Sequence, residues 1–166
     1  MTTEFDFTKQ VGHLLRKAVQ KNQAIYSRLC VDPRMTSVQF AVMYVLEKHG
    51  PCSLALIGRK ADIDAATTRD VVKRLEMRGL VAVQQDPTDR RKSFVSLEPE
   101  GMDLLDAMRP RSQQVAELTM EGLTPAEQVA LVYLLEKITA TPAPRELSAE
   151  DDSGDDGAGE SLHNVA

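Results

Sequence analysis

The sequence lacks any long hydrophobic run. No stretch approaches the roughly 18 apolar residues that suggest a membrane-spanning helix, and the first ten residues, MTTEFDFTKQ, lack the charged-then-apolar pattern of a secretion signal. These two absences predict a cytoplasmic protein. The chain has 166 residues, of which 42% are hydrophobic, so it can bury one good core and a single domain of mixed parts is expected.

Cysteine is also scarce. The chain contains only Cys30 and Cys52, and they do not have the spacing of metal ligands. Cytosolic thiols stay reduced, and a free cysteine usually packs like a small hydrophobic residue. Two partly buried thiols are therefore expected, with redox sensing as the alternative.

The residues that catalysis needs do not form any recognisable motif. His13, His49 and His163 are scattered along the chain, and there is no serine elbow, glycine-rich phosphate loop or paired-cysteine metal motif. The sequence therefore predicts a protein that is not an enzyme and that has no cofactor or metal site.

Charge is distributed unevenly along the chain. The net charge of −5 would by itself argue against a nucleic-acid partner. However, residues 141–166 contain seven acidic residues against one arginine, with no aromatic and few apolar residues, which predicts a disordered acidic tail. Residues 50–92 contain nine basic and six acidic residues. Positive charge is thus gathered in one segment, as in nucleic-acid-binding proteins.

The basic segment ends in a predicted β-hairpin. Two β-like segments, residues 81–85 and 93–97, flank a polar tip that carries Arg90, Arg91 and Lys92. The preceding run DAATTRDVVKRLEMRGL has helical spacing, with its valines and first leucine facing inward. A helix followed by a basic hairpin is the order of a winged helix-turn-helix.

Helix-capping signals mark the elements before the hairpin. Thr36-x-x-Gln39 is a capping box that begins one helix, and Ser53 can cap the short helix in SLALIGRKA. Asp64 is the expected N-cap of the recognition helix, and Gly79 is expected to end it. These signals predict a helix-turn-helix pair with its supporting helix.

Longer helices are predicted at both ends of the fold. Apolar residues spaced by three and four predict a first helix over residues 5–30. Pro99 opens another helix, which Pro110 should bend or split, and Thr124 with Glu127 caps the last one. Together these helices have more apolar surface than one subunit can hide, which predicts a helical dimer interface.

The run DPTDRR, followed by apolar-x-Leu and a helix start that ends in Gly101, resembles the wing signature of the MarR family of transcription regulators. The resemblance covers about residues 11–138. It implies a mainly α fold with a small β-hairpin wing, and a homodimer that binds a pseudo-palindromic operator in double-stranded DNA. It also implies that a small aromatic acid relieves repression.

The resemblance implies a domain organisation and a type of ligand as well. Residues 1–33 would form an N-terminal dimerisation helix, 34–98 the DNA-binding lobe, 99–140 the C-terminal dimerisation helices and 141–166 the acidic tail. The stretch RLCVDPRMTSVQFAVMYVLEKHGP is similar to the nicotinate-catabolism repressors of the family. That similarity implies a hydroxylated pyridine carboxylate as the effector.

Candidate DNA contacts come from the recognition helix and the wing. Threonine can meet thymine or a phosphate, and Arg69 can form paired hydrogen bonds to guanine. In the family, a wing-tip arginine enters the minor groove, a role that carries over to Arg90 or Arg91. The predicted DNA-binding residues are Thr67, Thr68, Arg69, Lys73, Arg74, Arg90, Arg91 and Lys92.

Family members bind small aromatic acids between the dimerisation helices and the DNA-binding lobe. An acid there needs a cation and a ring-stacking neighbour, and the candidates are His13, Arg16, Tyr44 and His49. Two alternatives to a ligand-released repressor remain. One is a redox-sensing regulator acting through Cys30 or Cys52, and the other is a winged-helix adaptor that contacts proteins.

Overall fold

A computed structural model describes residues 5–85 and 93–140 of the protein. The predicted disorder of the acidic tail, and the predicted wing-tip residues Arg90, Arg91 and Lys92, lie outside these described residues. The elements are α1 Val11–Leu29, α2 Ser37–His49, β1 Cys52–Ser53, α3 Leu54–Ala61, α4 Ala65–Glu76, β2 Val81–Gln85, β3 Ser93–Leu97, α5 Pro99–Thr119 and α6 Pro125–Ala140. The predicted fold, mainly α with a hairpin wing in a winged helix-turn-helix lobe, is confirmed.

The first helix is shorter than predicted. A separate 3-10 helix, Phe7–Lys9, precedes α1, and Gln10 between them has an extended backbone. The Asp6 carboxylate accepts hydrogen bonds from the Thr8 amide at 2.9 Å and the Thr8 hydroxyl at 2.6 Å. Such local bonds compete with regular helix formation. The continuous helix expected over residues 5–30 is therefore wrong at its start.

The predicted caps of the helix-turn-helix region are confirmed. Thr36 Oγ1 accepts from the Gln39 amide at 3.2 Å while Gln39 Oε1 accepts from the Thr36 amide at 3.0 Å. Ser53 Oγ accepts from the Leu56 amide, and Asp64 Oδ1 accepts from two amides of the first turn of α4. Each bond satisfies a helix N–H group that would otherwise have no partner.

The end of α4 also follows the prediction. Gly79 has a φ of +69°, which glycine adopts without steric cost. Beyond it, the Leu80 amide donates to the Leu75 carbonyl at 3.1 Å, and the Gly79 amide donates to that of Glu76 at 2.9 Å. This pair of bonds is a Schellman motif. It turns the chain directly into β2.

The sheet has one more strand than predicted. Strands β2 and β3 pair antiparallel, with Val83 opposite Val95, and β1 adds to the other edge of β3, with Cys52 opposite Val95. The strand order is therefore β1-β3-β2. A two-residue strand has no periodicity to detect, so only its long-range pairing with β3 reveals β1.

Two groups of buried side chains hold the first compact unit, which ends at Gly122. The larger group is the core of the helix-turn-helix lobe and includes Val42, Met43, Leu46, Ile57, Val72, Leu75, Val95 and Leu105. The smaller group joins α1 to α5 through Tyr26, Met108 and Val115. Helix α5 runs unbroken through Pro110, so the predicted split does not occur.

Helix α6 lies in the second unit, which starts at Leu123. Its predicted capping box is confirmed, because Glu127 Oε2 accepts from the Thr124 amide at 2.8 Å and Thr124 Oγ1 accepts from the Glu127 amide. Its apolar side chains are exposed, among them Val129, Val132, Tyr133, Leu134 and Ile138. Helix α1 likewise exposes Val11, Leu14, Leu15 and Val19. In the described ranges, no helix has the length and apolar character needed to cross a membrane.

Gly101 is required by the packing of the first turn of α5. A Cβ atom at this position would lie 2.1 Å from the Leu80 carbonyl oxygen and 2.9 Å from Leu97 Cδ1. We expect Gly101→Ala to lower the free energy of unfolding by about 1 to 3 kcal/mol or more, because backbone atoms must shift. Denaturant unfolding monitored by circular dichroism measures this change.

Gly12 provides the matched control. A Cβ atom there meets nothing within 4 Å, so Gly12→Ala in α1 should be neutral or stabilising by at most about 1 kcal/mol. Equal effects of the two substitutions would contradict the steric argument.

Candidate nucleic-acid interface and ligand cavity

Helices α3 and α4 pack closely enough to exclude one of the predicted DNA contacts. A Cβ atom at Gly58 would lie 2.9 Å from Thr68 Oγ1 and 3.0 Å from the Ile63 carbonyl oxygen. Thr68 is only 1% exposed, and its hydroxyl donates to the Asp64 carbonyl at 2.8 Å. The prediction that Thr68 contacts DNA is therefore wrong, because Thr68 belongs to the contact between the two helices.

The outward face of α4 carries three of the predicted basic residues. Arg69, Lys73 and Arg74 are exposed, whereas Thr67 is half-buried. The Thr67 hydroxyl donates to Asp64 Oδ2 at 2.6 Å, and this bond together with the Thr67 amide lowers the pKa of Asp64. Asp64 is thus held as a charged N-cap. The three cations are free to meet the edge of a groove or its phosphates.

A cavity of about 460 Å³ lies between α3 and the beginning of α4. Arg59 and Arg69 both line it, alongside apolar residues that include Leu54 and Ile63. Sequence reasoning did not select Arg59. The sequence did contain an indication that Arg59 lies on this surface, because Arg59 is in the basic segment and Ile57 of the same helix faces the core. Arg59 adds a fourth cation to this surface.

The structure describes the two strands of the wing but not the residues between them. Gln85 at the end of β2 pairs with Ser93 at the start of β3. The three cations predicted at the wing tip lie between these residues, outside the described part of the chain. Their role in DNA binding stays a prediction.

Of the four predicted ligand residues, Tyr44 lines a cavity. The cavity has a volume of about 370 Å³ and lies between α2 and α5; its lining consists of Phe40, Tyr44, Arg109, Ser112, Gln113 and Ala116. The Phe40 and Tyr44 rings are stacked, with centroids 6.5 Å apart and planes inclined by 20°. A volume in this range suits a small ligand.

Arg109 supplies the positive charge of this cavity, and sequence reasoning missed it. It forms an ion pair with Glu47 of α2, and its Nε donates to Asp106 Oδ1 at 3.0 Å. Glu47 and Arg109 are 62 positions apart in the chain. Only the packing of α2 on α5 brings them together, so no local pattern could have revealed the pair.

His13 and Arg16 lie elsewhere in the protomer. Arg16 Nη2 is 3.2 Å from His13 Nδ1, and the Phe7 ring meets the His13 ring edge-on at 4.8 Å. Asn22 of α1 donates to Thr119 at the end of α5. Tyr26, further along α1, packs with Met108, which comes earlier in α5. The two helices are therefore antiparallel. Counted along these antiparallel helices at about 1.5 Å per residue, the level of His13 is roughly 28 Å from the level of Arg109.

The predicted ligand residues therefore do not form one site within a protomer. His13 and Arg16 form one pair, Tyr44 lines the cavity with Arg109, and His49 is exposed at the last position of α2. Only a site shared between two protomers would unite His13 or Arg16 with Tyr44.

The two cysteines occupy different surroundings. Cys30 is half-buried as predicted, with Sγ 3.7 Å from Met108 Sδ, whereas Cys52 is buried more completely than the prediction of two partly buried thiols implies. Burial raises the pKa of the Cys52 thiol. Because the thiolate is the reactive form, Cys52 is poorly suited to redox sensing.

Known proteins share both the sequence and the fold of this chain. The sequence profile of the MarR family matches residues 35–93. NicR of Pseudomonas putida, an HTH-type transcriptional repressor, is 47% identical over 136 residues, which cover 82% of this chain and 86% of NicR.

Two solved structures extend the comparison. The structure of BpsR from Bordetella bronchiseptica, which addresses regulation of its DNA binding by 6-hydroxynicotinic acid, matches with a TM-score of 0.80 and 44% identity, covering 84% of this chain and 100% of BpsR. PcaV of Streptomyces coelicolor, solved with its natural ligand, matches with a TM-score of 0.77 and 26% identity, covering 84% of this chain and 98% of PcaV. With a repressor of 47% identity matched over most of its length, this chain belongs to the MarR family of DNA-binding transcription regulators.

Proposed function

We propose that this protein is a homodimeric repressor that binds a pseudo-palindromic operator and is released when a hydroxylated pyridine carboxylate binds. The observation that carries the ligand class is a cavity whose lining combines two stacked aromatic rings, Phe40 and Tyr44, with the arginine Arg109. The 6-hydroxynicotinic acid that regulates BpsR has both features that such a cavity can recognise, an aromatic ring and a carboxylate.

Dimerisation is supported by apolar side chains that the chain leaves exposed on α1 and on α6. A regulator of this type acts on chromosomal DNA, so we assign it to the cytoplasm. A dimer presents two recognition helices, which must lie about 34 Å apart to enter successive turns of the major groove. This requirement makes operator binding sensitive to the angle between the two lobes.

The cations of the lobe and of the wing are assigned to three kinds of DNA contact. Arg69, near the beginning of α4, is assigned to base edges in the major groove, where arginine pairs with guanine. Arg59, Lys73 and Arg74 are assigned to phosphates, and Arg90 or Arg91 to the minor groove. Phosphate contacts contribute affinity, and base contacts contribute specificity.

The aromatic acid is assigned to the cavity between α2 and α5. Its ring stacks on Phe40 and Tyr44, and its carboxylate pairs with Arg109, with Ser112 and Gln113 available for the ring hydroxyl or nitrogen. This cavity is not on the outward face of α4. Binding there acts by changing the angle of the lobe rather than by covering the residues that contact DNA.

Release of the operator by the acid tests this function directly. We expect 6-hydroxynicotinic acid to release the protein from DNA upstream of its own gene, as measured by fluorescence anisotropy. Linkage also requires the acid to bind the free dimer more tightly than the operator-bound dimer, by the same factor that the acid weakens operator binding. Equal ligand affinity with and without operator would contradict release by this route.

Arg69→Ala should change which operator sequences are preferred. Loss of a base contact should cost about 1 to 3 kcal/mol at one symmetric pair of operator positions and relax the choice of base there. Arg111→Ala is the control, because Arg111 is an exposed arginine of α5 outside the helix-turn-helix. Binding to single-base operator variants measures both, and uniform weakening across all variants would assign Arg69 to a phosphate instead.

Arg109→Gln should remove the preference for an acid. A hydrogen bond between charged groups contributes about 1.5 to 3 kcal/mol, so 6-hydroxynicotinic acid should bind roughly 10- to 100-fold more weakly. Binding of 2-hydroxypyridine, which lacks the carboxylate, should change little. Calorimetric titration measures both ligands, with Arg111→Gln, two positions further along α5, as the control. Unchanged acid binding by Arg109→Gln would exclude this cavity as the ligand site.

A further inference from the structure

Arg109, the cation of the proposed ligand cavity, already has a carboxylate partner. Glu47 Oε1 accepts a hydrogen bond from Arg109 Nη2, and Asp106 Oδ1 accepts from Arg109 Nε at 3.0 Å. The Glu47 side chain is 19% exposed, whereas that of Asp106 is 62% exposed. Because water screens the exposed pair, the pair with Glu47 is the stronger of the two.

Glu47 depends on this pairing more than Arg109 does. Within the described part of the chain, its second oxygen, Oε2, is buried and has no hydrogen-bond partner. A charged group removed from water is costly unless it is paired and hydrogen-bonded. Taking Arg109 away would leave a carboxylate on α2 that is mostly buried and uncompensated, which is strongly destabilising.

We propose that Glu47 is an internal competitor for Arg109 and that the carboxylate of the effector displaces it. This inference rests on the proposed ligand cavity. It identifies the displacement of Glu47 as the step by which ligand binding causes release of the operator. An aromatic acid offers Arg109 the same chemical group as Glu47 and adds a ring that stacks on Phe40 and Tyr44. The acid therefore outcompetes Glu47, whereas an anion without a ring gains only the exchange of one carboxylate for another.

The position of Glu47 explains how displacement reaches the DNA-binding surface. Glu47 lies two residues before the end of α2, and Gly50 and Pro51 then lead directly into β1 and α3. Once it has lost Arg109, the Glu47 carboxylate regains hydration only if this end of α2 moves away from α5. Such a movement carries α3 and α4 with it, because both pack on α2 through the core of the lobe.

Glu47→Gln separates the two consequences of the exchange. Glutamine keeps the shape of the side chain but is a weaker competitor, so 6-hydroxynicotinic acid should bind the free full-length dimer about tenfold more tightly. The acid should nevertheless release the operator less effectively, because no unpaired charge is created. The ratio of acid affinities for free and operator-bound dimer should therefore fall towards one, while 2-hydroxypyridine affinity changes less than twofold.

Asp106→Asn is the matched control. It removes the other carboxylate on Arg109, at an exposed position, and should change acid binding and release by less than about twofold. Glu47→Asp, which keeps the charge but draws it back by one methylene group, should give a smaller gain in acid affinity than Glu47→Gln. For each variant, calorimetry measures ligand binding, fluorescence anisotropy measures operator binding, and the melting temperature measures stability.

The outcomes distinguish the exchange from the ligand site itself. Unchanged or weaker acid binding by Glu47→Gln, in a protein where Arg109→Gln abolishes the preference for acids, would overturn the exchange and leave the cavity in place. Tighter binding with undiminished release would also overturn it. If Arg109→Gln has no effect on acid binding, both the ligand site and the exchange are wrong.

Discussion

Helix α5 belongs to both hydrophobic clusters of the first unit, and the arrangement of the lobe relative to α1 depends on it. Leu105 is buried in the core of the helix-turn-helix lobe, and three residues later Met108 is buried against Tyr26 of α1. The first turn of α5 is fixed as well, because only glycine at position 101 allows the approach to the Leu80 carbonyl. Any shift between α5 and α2 is therefore a shift between the α1–α5 pair and the DNA-binding surface.

Polar contacts at this junction differ from apolar ones in how they respond to a ligand. The packing of Leu105 and Met108 is insensitive to small charged molecules, whereas the Glu47–Arg109 ion pair is the contact that the proposed exchange assigns to a carboxylate effector. A second ion pair, Arg78 with Asp32, joins the turn after α4 to the segment after α1. The Asp32 carboxylate also accepts from the Arg34 amide, which together with Arg78 lowers the pKa of Asp32. Asp32 is thus favoured in its charged form, in which it holds the turn after α4 to that segment.

Local signals in the sequence predicted much of the fold. The caps at Thr36 and Asp64 and the stop at Gly79 depend on neighbours within a few positions, and the two hairpin strands follow one another directly in the chain, so these features could be predicted. The burial of Thr68 also had a local signal, since Thr68, Val71, Val72 and Leu75 follow helical spacing, but the polar character of threonine favoured a DNA contact. Strand β1 and the Glu47–Arg109 pair depend on partners more than 40 positions away, at Val95 and across α2 and α5. No spacing within either segment indicates such a partner.

The pairing of Arg109 before any ligand arrives also limits which ligands can act. An unpaired guanidinium group in a half-buried cavity would attract any small anion present in the cell, because charge alone would be sufficient. With Glu47 in place, an incoming carboxylate must replace an existing partner of Arg109, so its charge alone is not sufficient and stacking on Phe40 and Tyr44 must add to the binding energy. A neutral pyridine can stack but cannot displace Glu47. The proposed site would therefore require the ring and the carboxylate in one molecule, which is the combination that a hydroxylated pyridine carboxylate provides.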